Sequence, residues 1–169
     1  MTFLENIDAT PVFMILSWWY MRRNFLSNLT QNVETATNKH MMFLLLLSNI
    51  LQMYYYFMVL SILTVLLLYL FKFLLLEQIA QMLDGRYPFS IEEVLRNKVL
   101  KLFSEKSHMI FNLIVFLIII VFTYVLVMFV FDDETDESTK ENQMKLSIDM
   151  ILYIYVLAYI IWVSSLIFT

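Results

Sequence analysis

Asp149 is the one acidic side chain set inside a long apolar block of this 169-residue chain, three residues into a stretch that runs to residue 168. A carboxylate within a membrane segment points to proton or ion traffic, because burying it unpaired costs several kcal/mol. Its place near the start of the block, with Lys145 one turn earlier, equally fits an interfacial ion pair that contributes little. His40 and His108 each stand at the edge of an apolar block. Two histidines facing each other across helices are what a bis-His haem needs, whereas single boundary histidines are more often plain interfacial residues. Ser48, Asn49 and Gln52 lie on adjacent turns, and amide side chains are costly to leave against acyl chains, so they are candidate polar contacts between helices. Trp18 and Trp19, followed by Arg22 and Arg23, have the ring-plus-polar-tip chemistry of the headgroup zone and are candidate interfacial anchors. No Ser/His/Asp spacing, no deep carboxylate pair and no metal-ligand spacing is present, so the chain is not expected to run a reaction by itself.

The elements that would position these side chains follow from composition. Hydrophobic residues make up 61% of the chain and charged ones 15%, a balance that one soluble core of this size could not hide. The formal charge of −4 argues against nucleic acid, which needs clustered Lys and Arg. The absence of cysteine excludes disulfides, thiolate nucleophiles and iron–sulfur ligation. With Gly85 the only glycine, neither phosphate-binding Gly-rich loops nor small-residue helix seams can be built. Helices must therefore meet through bulky side chains.

Three apolar blocks exceed the roughly 20 residues that cross a hydrocarbon core of about 30 Å as a helix, which predicts an all-α membrane protein with spans over 41–76, 109–131 and 146–169. The first block would measure roughly 54 Å as one helix, so it should tilt and continue beyond the membrane. Residues 11–21 are apolar over only 11 positions, about half a span, which predicts an interfacial helix within an N-terminal segment 1–40. The surviving end of a span whose other half was lost or lies in another chain is the alternative. Polar residues 24–40 read as a surface connection. Residues 77–108 hold a turn signal at 84–88 and a capping box over 90–93. Ile91, Val94, Leu95, Val99, Leu102 and Phe103 follow on one face, predicting an amphipathic helix against the membrane or a neighbouring subunit. Five acids in the six residues 132–137 mark a solvated loop over 132–145, because calcium-loop spacing is missing. Lys and Arg divide almost evenly between the two sides, leaving orientation open.

Gly, Ala, Pro and Arg together number 11, against an abundance of Leu, Ile, Phe, Tyr and Met, the bias an AT-rich coding sequence imposes. The first 21 residues hold no Lys or Arg, so neither a secretory n-region nor an Arg-rich transit peptide is present. Synthesis and insertion inside a mitochondrion would account for both, and an ordinary protein from any AT-rich organism is the alternative.

Two patches resemble cytochrome c oxidase subunit III, a seven-helix, mitochondrially encoded subunit without a redox centre. In that family a Trp-Trp pair with nearby arginines ends the second helix, and a Ser-Glu pair followed by aromatic residues lies in the third. Here Trp18, Trp19, Arg22 and Arg23 are followed at similar distance by Ser48 and Asn49 and then Tyr54, Tyr55, Tyr56 and Phe57. The family's last helix carries an Asp after a β-branched residue and ends in tryptophan, as do Ile148, Asp149 and Trp162. His108 stands near where the family has histidines entering its penultimate helix. Asn49 replaces the family's buried glutamate, the histidine expected before Asp149 is absent, and too few spans remain for the whole fold. The resemblance thus implies a shortened or split subunit without the glutamate's role.

It further implies a non-catalytic, multi-pass subunit of a respiratory-chain complex in the mitochondrial inner membrane, supporting assembly, lipid contacts and proton uptake near Asp149. No cofactor would be bound by this chain; haem and copper would belong to the parent complex, and phospholipid such as cardiolipin could be bound. The partners would be other subunits and the bilayer. The acidic run after Phe131 is similar to NADH dehydrogenase subunit 3, although that family's cysteine-bearing loop is missing. A structural membrane subunit of ATP synthase is a third possibility, and an independent transporter ranks last because no discontinuous helix or central charge marks a substrate path.

Overall fold

The computed structural model describes residues 9–74, 106–131 and 136–168. These residues form α1 (Thr10–Ser27), α2 (Leu29–Thr35), α3 (Lys39–Leu74), α4 (Lys106–Val125) continued by a π-helical turn (Leu126–Val130), and α5 (Glu137–Phe168). No strand occurs among them. In lipid each backbone N–H and C=O must find its partner within the segment, and a helix does this at every residue. The apolar blocks contain no Pro or Gly to interrupt it.

Three of these helices are long and apolar enough to cross a membrane, over Lys39–Leu67, Lys106–Val130 and Glu137–Phe168, and the middle one is the most apolar, with a mean hydropathy of 3.3. The chain is an all-α, multi-pass membrane protein. Only 22% of the residues in each span's apolar window are buried. The buried ones form narrow seams: His108, Phe111, Val115, Ile119, Thr123 and Val127 on α4, and Met144, Ile148, Ile151, Tyr155, Tyr159 and Val163 on α5, at steps of three or four. Such spacing keeps one stripe of a helix facing its neighbour. The remaining faces are just as apolar and lie open, as at Phe129 (77% exposed) and Tyr153 (66%). A helix apolar all round has lipid as its solvent.

Helices α3 and α5 each pack against both α1 and α4. Cross-helix contacts fix the directions: Phe43 meets Tyr124 and Tyr54 meets Phe116 between α3 and α4, while His108 meets Trp162 and Phe111 meets Tyr155 between α4 and α5. Each pair climbs one helix as it descends the other, so α4 is antiparallel to both. Helix α1 packs against α3 and α5, and α2 packs against α1, α3 and α5. Small residues do enter the seams, as at Ser17, Ser61 and Ser147, contrary to the expectation from the missing glycines, and around them the helices interlock through Met14, Met21, Leu46, Ile50, Met53, Ile119, Ile151 and Tyr155, all nearly fully buried. Between helices in lipid, such van der Waals fit supplies the association that water would otherwise drive.

Several boundaries differ from the sequence expectation. The N-terminal helix is not confined to residues 11–21 but continues to Ser27, because Arg22 and Asn24 find partners on neighbouring helices instead of needing water. Most of the expected surface connection is helical, as the end of α1 and all of α2. The acidic loop expected over 132–145 is helix from Glu137 onward. Asp136 starts it by accepting a hydrogen bond from the Thr139 amide at 2.9 Å, and the Glu, Lys, Gln and Met that follow are good helix formers. Asn38 caps α3 in the same way, accepting from the Met41 amide at 2.8 Å. The turn at 84–88, the capping box over 90–93 and the amphipathic helix over 91–103 lie outside the described residues, as do the acids Asp132, Asp133 and Glu134.

Candidate functional site

The polar side chains of the bundle converge where α1 meets α5 and α3. Met14, Ser17, Met21 and Phe25 are buried along α1, which leaves Trp18 and Arg22 on one shoulder of that seam and Asn24 on the other. The Trp18 indole Nε1–H donates to the Ile148 carbonyl of α5 at 2.9 Å. One residue further along α5, Asp149 Oδ1 accepts from Arg22 Nε at 3.2 Å, and this ion pair leaves 39% of each side chain exposed. The Arg22 guanidinium also lies 5.8 Å from the centre of the Trp18 ring, within reach of a cation–π attraction. Ring, guanidinium and carboxylate thus tie α1 to α5.

On the other shoulder, Asn24 Nδ2 donates to the Tyr56 hydroxyl of α3 at 2.8 Å, and Gln52 Nε2 donates to the same oxygen at 2.9 Å. The Tyr20 ring packs on Tyr56 at 5.9 Å. Three helices are therefore clamped by hydrogen bonds whose donors and acceptors would be expensive to leave unpaired in a low-dielectric setting.

The sequence candidates distribute unevenly over this site. Trp18 and Arg22 are inside it with Asp149, although they were expected as interfacial anchors. Trp19 and Arg23 remain outward, with Arg23 stacked 5.6 Å from the Trp19 ring, an arrangement suited to a headgroup layer. Gln52 joins the clamp. Asn49 turns inward and donates to the Leu45 carbonyl of its own helix at 2.9 Å. Ser48 is exposed, because the seam passes on the Ile50 side of Asn49 and Ser48 lies about 200° around the helix from Ile50. Asp149 finds Arg22 rather than Lys145, which stays exposed; the flat guanidinium resting on an indole is better pre-organised for a carboxylate than a flexible, strongly hydrated ammonium.

The two histidines do not come together. His108 is buried and meets Trp162 edge-on at 4.8 Å. His40 is exposed in the first turn of α3, beside Lys39, whose Nζ donates to the Met128 carbonyl at 3.1 Å. Met128 lies 20 residues along α4 and its π turn from His108, roughly 30 Å, so the pair stands at opposite ends of the bundle and cannot share one haem. No group of three metal-ligating side chains occurs among the described residues.

Asn24 and Lys39 were missed by the sequence reading, the first because it sits in a polar stretch, and Tyr56 entered it only as one of an aromatic run. A charge argument could have found the central pair: the only acid within an apolar block calls for a cation from another helix, and Arg22 directly follows an apolar run. No family model, curated protein or solved structure matches this chain. The arrangement itself therefore carries the functional argument: a helix clamp with a half-exposed ion pair at its centre.

Proposed function

We propose that the chain is a structural integral subunit of a hetero-oligomeric membrane complex, in which α1 is held by the Trp18–Arg22–Asp149 clamp and the outward faces of α3, α4 and α5 receive lipid and other subunits. One observation carries the reading: charged and amide side chains are spent on fastening helices together, while the remaining surface is a broad apolar coat. The parent complex we favour is that of the mitochondrial respiratory chain, with cytochrome c oxidase first. Support comes from the sequence patches that carry the subunit III resemblance, among them Trp18 to Arg22, Ser48 to Phe57 and Ile148 to Asp149. In that setting the haems and copper belong to the companion subunits, cardiolipin is a fitting lipid for Arg23 and Trp19, and Asp149 lies near a proton entry.

Mild solubilisation of the native membrane, followed by identification of the chains and pigments that co-migrate, tests this. Haem a and copper in the same particle support the oxidase. Flavin with iron–sulfur clusters would move the chain to NADH dehydrogenase, and a nucleotide-hydrolysing particle to ATP synthase. A solitary, pigment-free species would overturn the subunit reading. Unchanged turnover and proton pumping in Asp149→Asn would remove the proton role and leave the clamp.

A further inference from the structure

Most polar side chains within the spans are satisfied by their own helix. Ser61, Thr64 and Ser147 donate to the carbonyls of Phe57, Leu60 and Gln143, four residues back, at 2.8, 2.8 and 3.0 Å, and Asn49 does the same with its amide. Two exceptions fall on one place. The Tyr54 hydroxyl and Asn112 Oδ1 are buried without a hydrogen-bond partner, and both residues line a single groove of about 280 Å³ between α3 and α4. The other walls include Phe57, Met58, Met109 and Phe116. The Tyr54 ring is braced edge-on by Phe116 at 4.7 Å, so its hydroxyl cannot swing freely out to another partner.

We propose that this groove binds a lipid-soluble alcohol or phenol, whose hydroxyl accepts from Tyr54 and donates to Asn112 Oδ1 while its apolar body lies along the phenyl and thioether walls. A hydroxyl is the smallest group that can serve a donor and an acceptor at once. The walls exclude charged or strongly hydrated molecules, since nothing else in the groove would repay their desolvation. A pair of methionines gives adaptable, polarisable contacts to a ring or chain. The volume lies near the lower end of the roughly 300–1,000 Å³ typical of small-molecule sites, which suits the ring-sized head of an amphiphile whose tail continues into the bilayer. Asn112 is six residues into α4, about 9 Å from its first residue. The site stands apart from the clamp, and its fate is independent of which complex the chain belongs to.

The test uses the full chain in detergent micelles with 4-octylphenol and, as a shape-matched control lacking the donor, its methyl ether. Saturable binding of the phenol, with a rise in Tm and at least 10-fold weaker binding of the ether, is expected. In Tyr54→Phe and Asn112→Leu the preference for the phenol should disappear. Helicity and unliganded Tm should be retained, because each change removes an unpaired polar atom rather than a bond. Equal, non-saturable uptake of both probes would overturn the proposal, as would a preference that survives both substitutions. Crosslinking from Met58→Cys to another polypeptide in native membranes would also overturn it, by showing that a partner helix fills the groove.

Discussion

Arg22 and Asp149 touch through one Nε–Oδ1 contact and stay 39% exposed, so their attraction is screened and should be modest in spite of its setting. Double-mutant cycles on such exposed pairs return about 0.2–1 kcal/mol. We expect Arg22→Gln and Asp149→Asn to show a coupling in that range when unfolding is followed by detergent titration; strictly additive losses would mean the pair does not fasten α1. Trp18→Phe keeps the bulk but removes the indole N–H that bonds Ile148 and weakens the surface under the guanidinium. A loss of about 1 kcal/mol is expected, together with faster proteolysis of the segment preceding α2, and unchanged proteolysis would argue against the clamp. At this scale the sequence displayed the right residue types: Asp149, Trp18, Arg22 and Gln52 all stood out. Their pairing did not, because partners 127 and 130 residues apart are joined by helix packing that no local spacing records.

At the scale of elements, α5 begins where a polar run would have been read as loop. The Asp136 carboxyl is held below the ordinary carboxylate range, first by its hydrogen bond with the Thr139 side chain and then by the Thr139 amide. A depressed carboxyl stabilises the fold once the unfolded group, near pH 3.9, is ionised, and that contribution is lost as pH falls through the lower folded value. Protection of the amides at 137–140, taken relative to their intrinsic exchange rates, should therefore fall on acidification below about pH 4, and Asp136→Ala should show low protection already at neutral pH. Identical exchange in both proteins would deny Asp136 its capping role. On α4, neighbouring isoleucines offer a contrast: Ile119 is completely buried and Ile118 is 49% exposed. Ile119→Ala should destabilise by about 2–5 kcal/mol through a cavity in the seam, whereas Ile118→Ala should be nearly silent. Equal effects would mean that α4 is rotated from the orientation described. Helix existence was readable from the apolar blocks. Which face of α4 turns inward was not, since all its faces are apolar and only contact with α3 and α5 selects one.

For the whole molecule, the antiparallel arrangement has a consequence that the cysteine-free chain makes easy to check, because any introduced thiol is unique. The starts of α3 and α5 share one end of the bundle, and the start of α4 lies at the other. Exposed single cysteines at Thr37→Cys and Ser138→Cys should react with a membrane-impermeant maleimide from one side, and Ser107→Cys only from the opposite side. Labelling of all three from one side would rule out three crossings. The chain's own composition determined that it lives in lipid and that its crossings are helical: 61% hydrophobic residues in uninterrupted blocks leave no other way to satisfy the backbone. Tertiary structure alone decided that α1 belongs to the bundle, that Asp149 faces Arg22, that His40 and His108 stand apart, and that Tyr54 and Asn112 share a groove. In a chain apolar on every side, hydropathy sets the solvent but not the neighbour; that choice is made by shape and by the few polar groups that must find each other across helices.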